Sequence, residues 1–424
     1  MTAKPSTVLA DFVSQQKTQY LTAVRDGSAK EWVVAMGNEA GDLDSMASAI
    51  AWAWYASTVQ KTPTVPLIQT PHADLHLRAE NLHALSLAGF NSTKPDLLCI
   101  DDLSPPPLPS HRFALVDHNR LHPTFASADP EAHVVAVLDH HADEGCHLDA
   151  APRIVVVPTG SAASLVANAL RDGCAAAGVD LPRELATLLL CAILVDTGGL
   201  KEGGKAEAAD HEAAAFLVPI SLLNKDEGGT NFSATALHEA HDVQELTQTL
   251  QAKKADVSHL NTRDLLRRDY KEYSLVPSWA SDKPILVGLS TVPMGLKSWV
   301  PRDAAFWTST EEWMKDRGLA VLGILTSFRD EEKMNKHGKG KHRREQLFVV
   351  REGELEGLAE KIFQGLKSNE ELDLKKINLT EDYGVQGDVG FAPEYKWKVW
   401  KQGNVEATRK ITAPVVKAIV EGEP

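Results

Sequence analysis

Aspartate and histidine side chains follow short apolar runs in the first half of the chain, and their types suit metal chemistry. The groups are Asp42-Leu43-Asp44, Asp101-Asp102, Asp117-His118-Asn119, Asp139-His140-His141 and, after an apolar helical run, Asp196-Thr197. If the apolar runs are strands of an open α/β sheet, their carboxyl ends meet at one crevice, where ligands bind. We therefore expect these side chains to lie near one another.

Several carboxylates in one crevice repel each other unless they are protonated or neutralised. Together with two imidazoles they form a site for divalent ions such as Mg, Mn or Co. Two such ions about 3.5–4 Å apart hold a phosphoryl group and activate a water molecule. A single aspartate after a strand is more often a helix cap or a turn residue. The whole set favours a metal site, whereas for Asp101 and Asp102 we favour turn residues.

Hydrophobic periodicity predicts the elements that would position these residues. The strand candidates are 31–36, 64–69, 96–100, 112–116, 133–138 and 154–157, and helical patterns cover about 43–54, 74–89, 161–174 and 182–195. Short buried strands that alternate with helices predict an α/β fold with a doubly wound, mainly parallel sheet. Thr159-Gly160-Ser161 precedes one helix, where it would cap the helix or bind an anion; we favour the cap.

The second half of the chain has a pattern of its own. A Gly-, Ala- and charge-rich stretch at 201–231 is expected to end the first domain, which gives domains of 1–230 and 231–424. A long polar helical stretch at about 236–275 follows, then strand candidates at 284–290, 319–326 and 346–350 and helical patterns at about 309–317 and 353–366. The pattern predicts a second, smaller α/β domain.

Charge is unevenly distributed over the 424 residues, whose formal net charge is −14. Residues 1–230 hold 15 Lys and Arg against 28 Asp and Glu, and 11 of the 16 His. An acidic first half argues against broad nucleic-acid binding by that half. It also raises the question of which cations offset the acids.

Cysteine spacing and hydropathy indicate the compartment. The four cysteines show no CxxC spacing, which favours reduced thiols. No apolar run approaches the roughly 20 residues of a membrane helix, and the N-terminus has no apolar signal core. We expect a cytoplasmic protein without membrane contact. In the absence of an obvious assembly element, we expect a monomer.

Four ordered motifs carry a family resemblance. They are Asn38-Glu39-Ala40-Gly41-Asp42-Leu43-Asp44-Ser45, Val116-Asp117-His118-Asn119, Leu138-Asp139-His140-His141 and Leu194-Val195-Asp196-Thr197. Their order and spacing resemble those of the DHH phosphoesterase superfamily, which includes family II inorganic pyrophosphatases, prune-type proteins and fungal exopolyphosphatases. The second half resembles the DHH-associated domain, through Arg268-Asp269-Tyr270-Lys271 and the basic run near residue 340. The resemblance implies an active site in the cleft between the two domains.

The resemblance also implies roles for individual residues. Asp42 would bind one metal ion and Asp44 the other, with Asp117 as the bridge between them. His140 and Asp196 would complete the shell of the second ion. The catalytic group would be Asp117 with His141, which faces the substrate phosphate, and His118, which contacts substrate or supports the shell. Asp139 would orient the neighbouring imidazole from outside the shell.

One position departs from the pyrophosphatase pattern. Family II pyrophosphatases usually begin the first motif with His, as HxxxDxD, where this chain has Asn38. The sequence GNEAGDLDSMASA resembles the fungal exopolyphosphatase version instead. An amide is a weaker ligand than a neutral imidazole, so one ion should be held less tightly. Asn38 is therefore expected beside the metals rather than among their firm ligands.

Residues 333–344 form a basic segment with six Lys and Arg and two His. It is predicted to be a hairpin-like loop, for which three interpretations stand: a solvated charge run, a nuclear-localisation or nucleic-acid patch, and a lid that closes on a polyanion. The family resemblance favours the lid. Arg343 or Arg344 would then grip phosphate in a bidentate way, with His342 beside them and Lys271 as a point charge.

The resulting hypothesis is a metal-dependent exopolyphosphatase. Two-metal activation of water would release orthophosphate from the end of inorganic polyphosphate, with no covalent phosphoenzyme. The alternatives are a prune-like short-chain polyphosphatase or pyrophosphatase, a nucleotide phosphodiesterase, and a scaffold that has kept the fold without turnover.

Overall fold

The structure is a computed structural model that describes residues 7–103, 108–223, 234–280, 283–334, 340–353, 355–386 and 390–422. It divides into two units, Met1–Asp256 and Val257–Pro424. The predicted domain boundary at residue 230 lies outside the described residues. The division falls after Asp256 because the helix before it packs against helices of the first unit.

The first unit contains six strands, eight helices and four 3₁₀ segments among its described residues. The strands are β1 (Val33–Met36), β2 (Thr64–Ile68), β3 (Leu98–Cys99), β4 (Arg112–Val116), β5 (His133–Asp139) and β6 (Arg153–Val155). The helices are α1 (Val8–Arg25), α2 (Leu43–Thr58), α3 (Ala79–Leu87), α4 (Pro123–Ala126), α5 (Ala162–Ala177), α6 (Arg183–Thr197), α7 (Ala208–Ile220) and α8 (His241–Ala255). The 3₁₀ segments are Ala29–Glu31, His72–Leu77, Ile100–Asp102 and Ala234–Glu239.

All six strands of the first sheet are parallel, in the order β3-β2-β1-β4-β5-β6. The predicted doubly wound parallel sheet is confirmed. The strand order reverses between β1 and β4, and in such sheets ligands bind outside the carboxyl ends of the strands at that point. The topology therefore brings the ends of β1, β4 and β5 to one edge.

Helix α2 shows how the sequence builds this edge. Its apolar positions, among them Met46, Ile50 and Trp54, are buried in the core of the first unit. Asp42 begins the helix as its N-cap, with Oδ1 accepting a hydrogen bond from the Ser45 amide at 3.0 Å. A Cβ at Gly37, in the preceding turn, would lie 2.4 Å from the Cβ of Ser45. Glycine is thus required where β1 turns into α2.

The second unit contains a mixed sheet and six helices among its described residues. The strands are β7 (Tyr270–Leu275), β8 (Ile285–Val292), β9 (Val321–Met334), β10 (Gly340–Arg351), β11 (Leu374–Ile377) and β12 (Tyr395–Gln402), in the order β11-β12-β10-β9-β8-β7. Only β8 and β9 pair in parallel among these described strands. The helices are α9 (Thr262–Arg268), α10 (Leu296–Arg302), α11 (Phe306–Arg317), α12 (Leu358–Ser368), α13 (Leu379–Tyr383) and α14 (Arg409–Glu421).

The long helical stretch predicted at about 236–275 is correct only in part, because it is broken and ends in a strand. The structure has α8, then α9, then strand β7 over this stretch. The cause is local capping: the side chain of Asn261 accepts a hydrogen bond from the Asp264 amide at 2.9 Å and begins a new helix. The residues that follow α9 pair with β8 as an antiparallel strand.

Both ends of the basic segment lie in strands rather than in a loop. Strands β9 and β10 form an antiparallel hairpin, and residues 340–344 belong to β10. Residues 335–339 lie outside the described residues. Across the described part of the chain, no helix is long and apolar enough to cross a membrane.

Candidate metal centre

Asp117 lies at the middle of the candidate site, directly after β4. Its side chain is buried, and the residue adopts a left-handed backbone conformation with φ of 61°. Oδ2 accepts hydrogen bonds from Ser45 Oγ at 2.6 Å and from Asn38 Nδ2 at 2.7 Å. Oδ1 faces His140 Nε2 at 3.3 Å and His141 Nδ1 at 3.6 Å. Asp117 thus presents one oxygen to the site while the other is held by its neighbours.

His140 is oriented by the backbone. Its Nδ1 lies 3.0 Å from the carbonyl oxygen of Thr159, which can only accept, so Nδ1 carries the proton. Nε2 therefore points at the carboxylates, 3.3 Å from Asp117 Oδ1 and 3.7 Å from Asp44 Oδ2. A histidine that ligates a metal ion is held in this way, with the remote nitrogen bonded to a carbonyl or carboxylate.

Asp44 is bound at the N-terminus of helix α5. Oδ1 accepts hydrogen bonds from Ser161 Oγ and the Ala163 amide, each at 2.7 Å, and Oδ2 accepts from the Ala162 amide at 2.7 Å. The side-chain cap that we favoured for Thr159-Gly160-Ser161 is not made. Ser161 occupies the N-cap position but makes no side-chain cap, and the anion at the helix start is the carboxylate of Asp44.

Asp42 and Asp196 complete what we call the acidic cluster, whose members are Asp42, Asp44, Asp117, His140 and Asp196. Asp42 is half-buried at the start of α2. Asp196 lies in the last turn of α6, and its Oδ1 is 3.8 Å from Lys254 Nζ of α8. The structure thus brings together the five residues that the sequence predicts as metal ligands.

The electrostatics of the acidic cluster show an excess of negative charge. Burial, and then the neighbouring charge of Asp117, raise the pKa of Asp44 to about 7. Burial and the charge of Asp42 raise the pKa of Asp117 to about 6, and burial and the charge of Asp44 raise that of Asp196 to about 7. Such carboxylates resist ionisation unless a cation joins them.

The same negative charges favour the protonated, charged form of His140, whereas they oppose ionisation of the carboxylates. Burial opposes its charge, but the hydrogen bond with Asp117 and the charges of Asp44 and Asp117 raise the pKa of His140 to about 10. Asp117, His140 and His141 each offer a ligand atom within 4.8 Å of the others. A set of carboxylate and imidazole donors with this excess of negative charge fits a divalent ion.

His141 belongs to a different network from His140. Its Nδ1 lies 2.9 Å from Oδ1 of the fully buried Asp139, so the ring donates to that carboxylate. Asn119 Nδ2 donates to the other oxygen of Asp139 at 2.5 Å. Although burial opposes it, the hydrogen bonds from His141 and Asn119 lower the pKa of Asp139. The geometry agrees with the predicted orienting role of Asp139.

His118 points back into the sheet. Its Nδ1 lies 2.9 Å from the carbonyl oxygen of Val116, and burial lowers the pKa of the imidazole. Its Nε2 is buried and has no hydrogen-bond partner among the described residues. The ring is therefore held neutral beside the site, and its predicted contact with substrate stays a prediction.

Asn38 uses both ends of its amide within the protein. Nδ2 donates to Asp117 Oδ2 at 2.7 Å and to the Asp117 carbonyl at 3.1 Å, while Oδ1 accepts from the Ala40 amide at 2.9 Å. The side chain fixes the Asp117 carboxylate and its backbone. That Asn38 lies beside metal ions stays a prediction.

Besides His141, the predicted substrate-binding residues lie in the second unit, and they are Lys271, His342, Arg343 and Arg344. Arg343 and Arg344 line one cavity of about 460 Å³, together with Lys297, Arg329 and Lys401. His342 lines an adjoining cavity of about 570 Å³, which Arg329 and Arg343 also line, and its Nε2 lies 3.0 Å from Ser327 Oγ. Lys271 lies on edge strand β7, with β8 and β9 between it and β10. Lys271 is thus not part of the arginine group.

Asp101 and Asp102 follow β3 and make their contacts outside the acidic cluster. Asp101 accepts from the His72 amide at 3.0 Å, and Asp102 Oδ2 lies 2.9 Å from His72 Nε2 and 3.1 Å from Lys17 Nζ. They form a local turn and ion-pair network, as the sequence favours.

Three residues at the site have no predicted role. Ser45 stands in the first motif and bonds Asp117, and Lys254 pairs with Asp196 from α8. Asp210, fully buried, accepts from Gly160 N at 2.8 Å and Ser164 Oγ at 2.6 Å and so holds the turn before α5. Proximity to the motif could have marked Ser45. No local sequence pattern predicts a role for Lys254 or Asp210, because α8 and α7 are distant in sequence from the motifs.

Two family models match the chain. Residues 32–193 match the DHH family, N-terminal domain, and residues 248–419 match the DHHA2 domain. The first includes the first three motifs and ends just before the fourth, which begins at Leu194. The second begins inside α8 and covers most of the second unit.

Curated relatives extend the likeness. The chain is 28% identical over 415 residues to "Putative exopolyphosphatase" of Schizosaccharomyces pombe, covering 95% of this chain and 94% of that protein. It is 29% identical to "Exopolyphosphatase PRUNE1" of Mus musculus over 70% of this chain, but spans only 59% of that protein's length. It is 27% identical to "Probable manganese-dependent inorganic pyrophosphatase" of Streptococcus suis, over 55% of this chain and 71% of that protein.

A solved structure shares the fold. The Methanococcus jannaschii chain described as a "putative family II inorganic pyrophosphatase" superposes with a TM-score of 0.53 at 19% identity. The match covers 92% of this chain and 99% of that chain.

Proposed function

Since this chain belongs to the DHH family and carries a DHHA2 domain after its DHH domain, we propose that it is a metal-dependent exopolyphosphatase. It would hydrolyse the terminal phosphoanhydride bond of inorganic polyphosphate and release orthophosphate. The observation that carries the proposal is the acidic cluster, in which carboxylates and an imidazole converge and negative charge is in excess.

The acidic cluster would hold two divalent ions, of which Mg, Mn and Co suit its oxygen and nitrogen donors. Asp42 would bind one ion, Asp44, His140 and Asp196 the other, and Asp117 both. Bound divalent ions would neutralise the carboxylates, polarise the phosphoryl oxygens and lower the pKa of a water molecule.

The chain's own hydrogen bonds prepare these ligands. Asn38 and Ser45 fix one oxygen of Asp117, so that the other faces the site. The Thr159 carbonyl holds the proton of His140 on Nδ1 and leaves Nε2 for coordination. Rigid support of this kind keeps the groups in their productive geometry before substrate arrives.

His141 would act on the substrate phosphate. The carboxylate of Asp139 accepts a hydrogen bond from Nδ1 and orients the ring; with a second proton on the ring, Nε2 would donate a hydrogen bond or that proton to a phosphoryl oxygen. Its side chain is 39% exposed, whereas that of Asp117 is 3% exposed. The exposed ring is therefore accessible to a substrate phosphate.

Cations of the second unit would bind the rest of the polyanion. The cavity of about 460 Å³ is lined by five Lys and Arg side chains, and only three acids, Asp330, Glu345 and Asp382, share the lining. Asp330 lies 3.5 Å from Arg343 Nε, and Glu345 accepts from Tyr383 Oη and from the Leu296 amide at 2.8 Å. The excess of cations supports phosphate binding there. That this surface faces the metal centre across a cleft stays a prediction.

Asn38 supports a preference for the polymer over pyrophosphate. Both ends of its amide are engaged within the protein, so it offers no firm metal ligand where pyrophosphatases usually have His. The likeness to manganese-dependent pyrophosphatases makes pyrophosphate hydrolysis the second candidate.

The test is orthophosphate release from long-chain polyphosphate and from pyrophosphate, measured in parallel with excess Mg²⁺ or Mn²⁺. We expect fast release from the polymer and little from pyrophosphate. The reverse preference would favour the pyrophosphatase function and leave the metal centre standing. Release from neither would favour the scaffold.

A matched pair of variants links the activity to the acidic cluster. Asp117→Asn should lower polyphosphate turnover at least about a hundredfold, since even groups that only support metal ligands contribute about 10–100-fold. The control is Asp129→Asn, which removes a buried carboxylate paired with His111. This pair lies before the amino-terminal ends of β4 and β5, whereas Asp117 follows the carboxyl end of β4. Equal activity of both variants would reject the assigned site.

A further inference from the structure

Helix α8 brings a lysine to the edge of the acidic cluster. Lys254 lies in its last turn, with Nζ 3.8 Å from Oδ1 of Asp196. The side chain of Lys254 is 37% exposed and that of Asp196 is 23% exposed. The pair is therefore neither fully buried nor fully solvated.

The position of Lys254 is fixed by its own helix. One turn earlier, Gln251 Nε2 donates to the carbonyl oxygen of Val195 at 2.7 Å, which joins α8 to the end of α6. Leu246 and Leu250 of the same helix are buried in the core of the first unit. The ammonium group is thus tethered beside Asp196 by packed structure.

The charge of Lys254 acts on a crowded anionic site. Asp196 experiences the negative charges of Asp44 and Asp42, and Lys254 opposes them. A divalent ion bound by the same carboxylate would compete with Lys254 for its negative charge and would lie near a positive charge. Both effects weaken metal binding, and solvent screening moderates them.

We propose that Lys254 is a tethered counter-cation of the metal centre, which pairs with Asp196 and weakens the binding of the divalent ion that Asp196 would hold. The proposal rests on the proposed function, because it presupposes a metal ion at the acidic cluster. Lys254 is a tuning residue rather than a ligand, and it keeps the ion exchangeable.

The test is a series of charges at one position, measured by calorimetric titration of Mn²⁺ into the full chain without substrate. Lys254→Gln and Lys254→Met should both bind the ion at the Asp196 side on the order of tenfold more tightly. Lys254→Arg, which keeps the charge, should bind it as the wild type does. In urea unfolding of the metal-free protein, the neutral variants should have a lower free energy of unfolding than the wild type, because they lose the counter-cation of Asp196.

The matched control is Lys253→Gln, which removes the adjacent lysine, whose charge acts on His83 instead. Unchanged or weaker Mn²⁺ binding by Lys254→Gln, relative to Lys253→Gln, would overturn the proposal while the metal centre stands. Tighter binding by Lys254→Arg would also overturn it, since the effect would then not follow charge. A wild type that binds no Mn²⁺ would overturn the proposed function and this proposal together.

Discussion

At the scale of single residues, environment decides which aspartate could serve which purpose. Asp117 and Asp139 stand at the ends of neighbouring parallel strands, yet their pKa values move in opposite directions. Asp117 lies among other carboxylates, so its charge needs a cation. Asp139 receives hydrogen bonds from His141 and Asn119, so its charge is already satisfied. The family resemblance predicts different roles for the two residues, and their contacts give a physical reason for the difference.

The role of Asp139 is tested by Asp139→Asn. The amide cannot hold the proton of His141 Nδ1 as a carboxylate does, so turnover should fall about 10–100-fold. Mn²⁺ affinity should stay close to that of the wild type, because Asp139 is not among the proposed ligands. The assay is steady-state orthophosphate release together with a calorimetric Mn²⁺ titration. Loss of metal binding with retained turnover per bound metal would contradict this role.

Ser45 offers a second test at this scale. Its hydroxyl donates to Asp117 Oδ2 and accepts a hydrogen bond from the backbone N–H of Asn38 at 3.1 Å. Ser45→Ala should lower Mn²⁺ affinity about tenfold and reduce the free energy of unfolding by about 1–3 kcal/mol, since buried partners lose their hydrogen bonds. Calorimetry and urea unfolding measure the two effects.

Ser48 provides the matched control on the same helix. It is fully buried, and its hydroxyl has no hydrogen-bond partner among the described residues. Ser48→Ala should therefore leave Mn²⁺ affinity unchanged and should not destabilise the fold. A comparable loss of affinity in the two variants would show that α2 packing, and not the Ser45 bond, supports Asp117.

At the scale of elements, the parallel sheet of the first unit could be predicted from the sequence. The helices and strands of the second half of the chain could be predicted only in part. Runs such as 112–116 are apolar, short and bounded by polar residues, and the strand found is Arg112–Val116. Helix α1 has no comparable signal, since its buried residues, among them Leu9, Val13 and Tyr20, form only a narrow stripe. Strand β12 alternates lysine with apolar residues, a period of two that could have predicted it. Capping at Asn261 is a local contact that helical periodicity does not report.

The turn between β1 and α2 is the element on which the site most depends. Gly37→Ala would place a Cβ 2.4 Å from Ser45 Cβ and 2.7 Å from Ser45 Cα, so backbone must move. We expect a loss of about 1–3 kcal/mol in the free energy of unfolding, as for other overpacked sites, and weaker Mn²⁺ binding. Urea unfolding and metal titration measure both.

Gly145→Ala is the control for this substitution. Gly145 has φ of 68°, and no atom of the described residues lies within 4 Å of the position that an added Cβ would take, so only backbone conformation opposes the change. It should lose about 1 kcal/mol of stability, as expected for a left-handed position, and keep its metal affinity. If Gly37→Ala binds Mn²⁺ as Gly145→Ala does, the turn does not position the acidic cluster.

At the scale of the whole molecule, the acidic first half and the basic cavities of the second unit suggest a division of labour. Residues 1–230 carry nearly all of the net negative charge of the chain, and part of that charge is concentrated in the acidic cluster. Such a surface repels a polyanion until metal ions bind, whereas the cations of the second unit attract it. How the two parts cooperate is a property of long-range packing, which local sequence patterns do not report.

The measurement that tests the central claim most directly is a calorimetric Mn²⁺ titration of the wild type and Asp117→Asn, with thermal unfolding alongside. We expect two ions per wild-type chain and stabilisation of about 2.7 kcal/mol when free Mn²⁺ is 100 times the dissociation constant of one site. Asp117→Asn should lose most of this binding and stabilisation. A wild type that binds no Mn²⁺, or an Asp117→Asn variant that binds two ions as tightly as the wild type, would contradict the account.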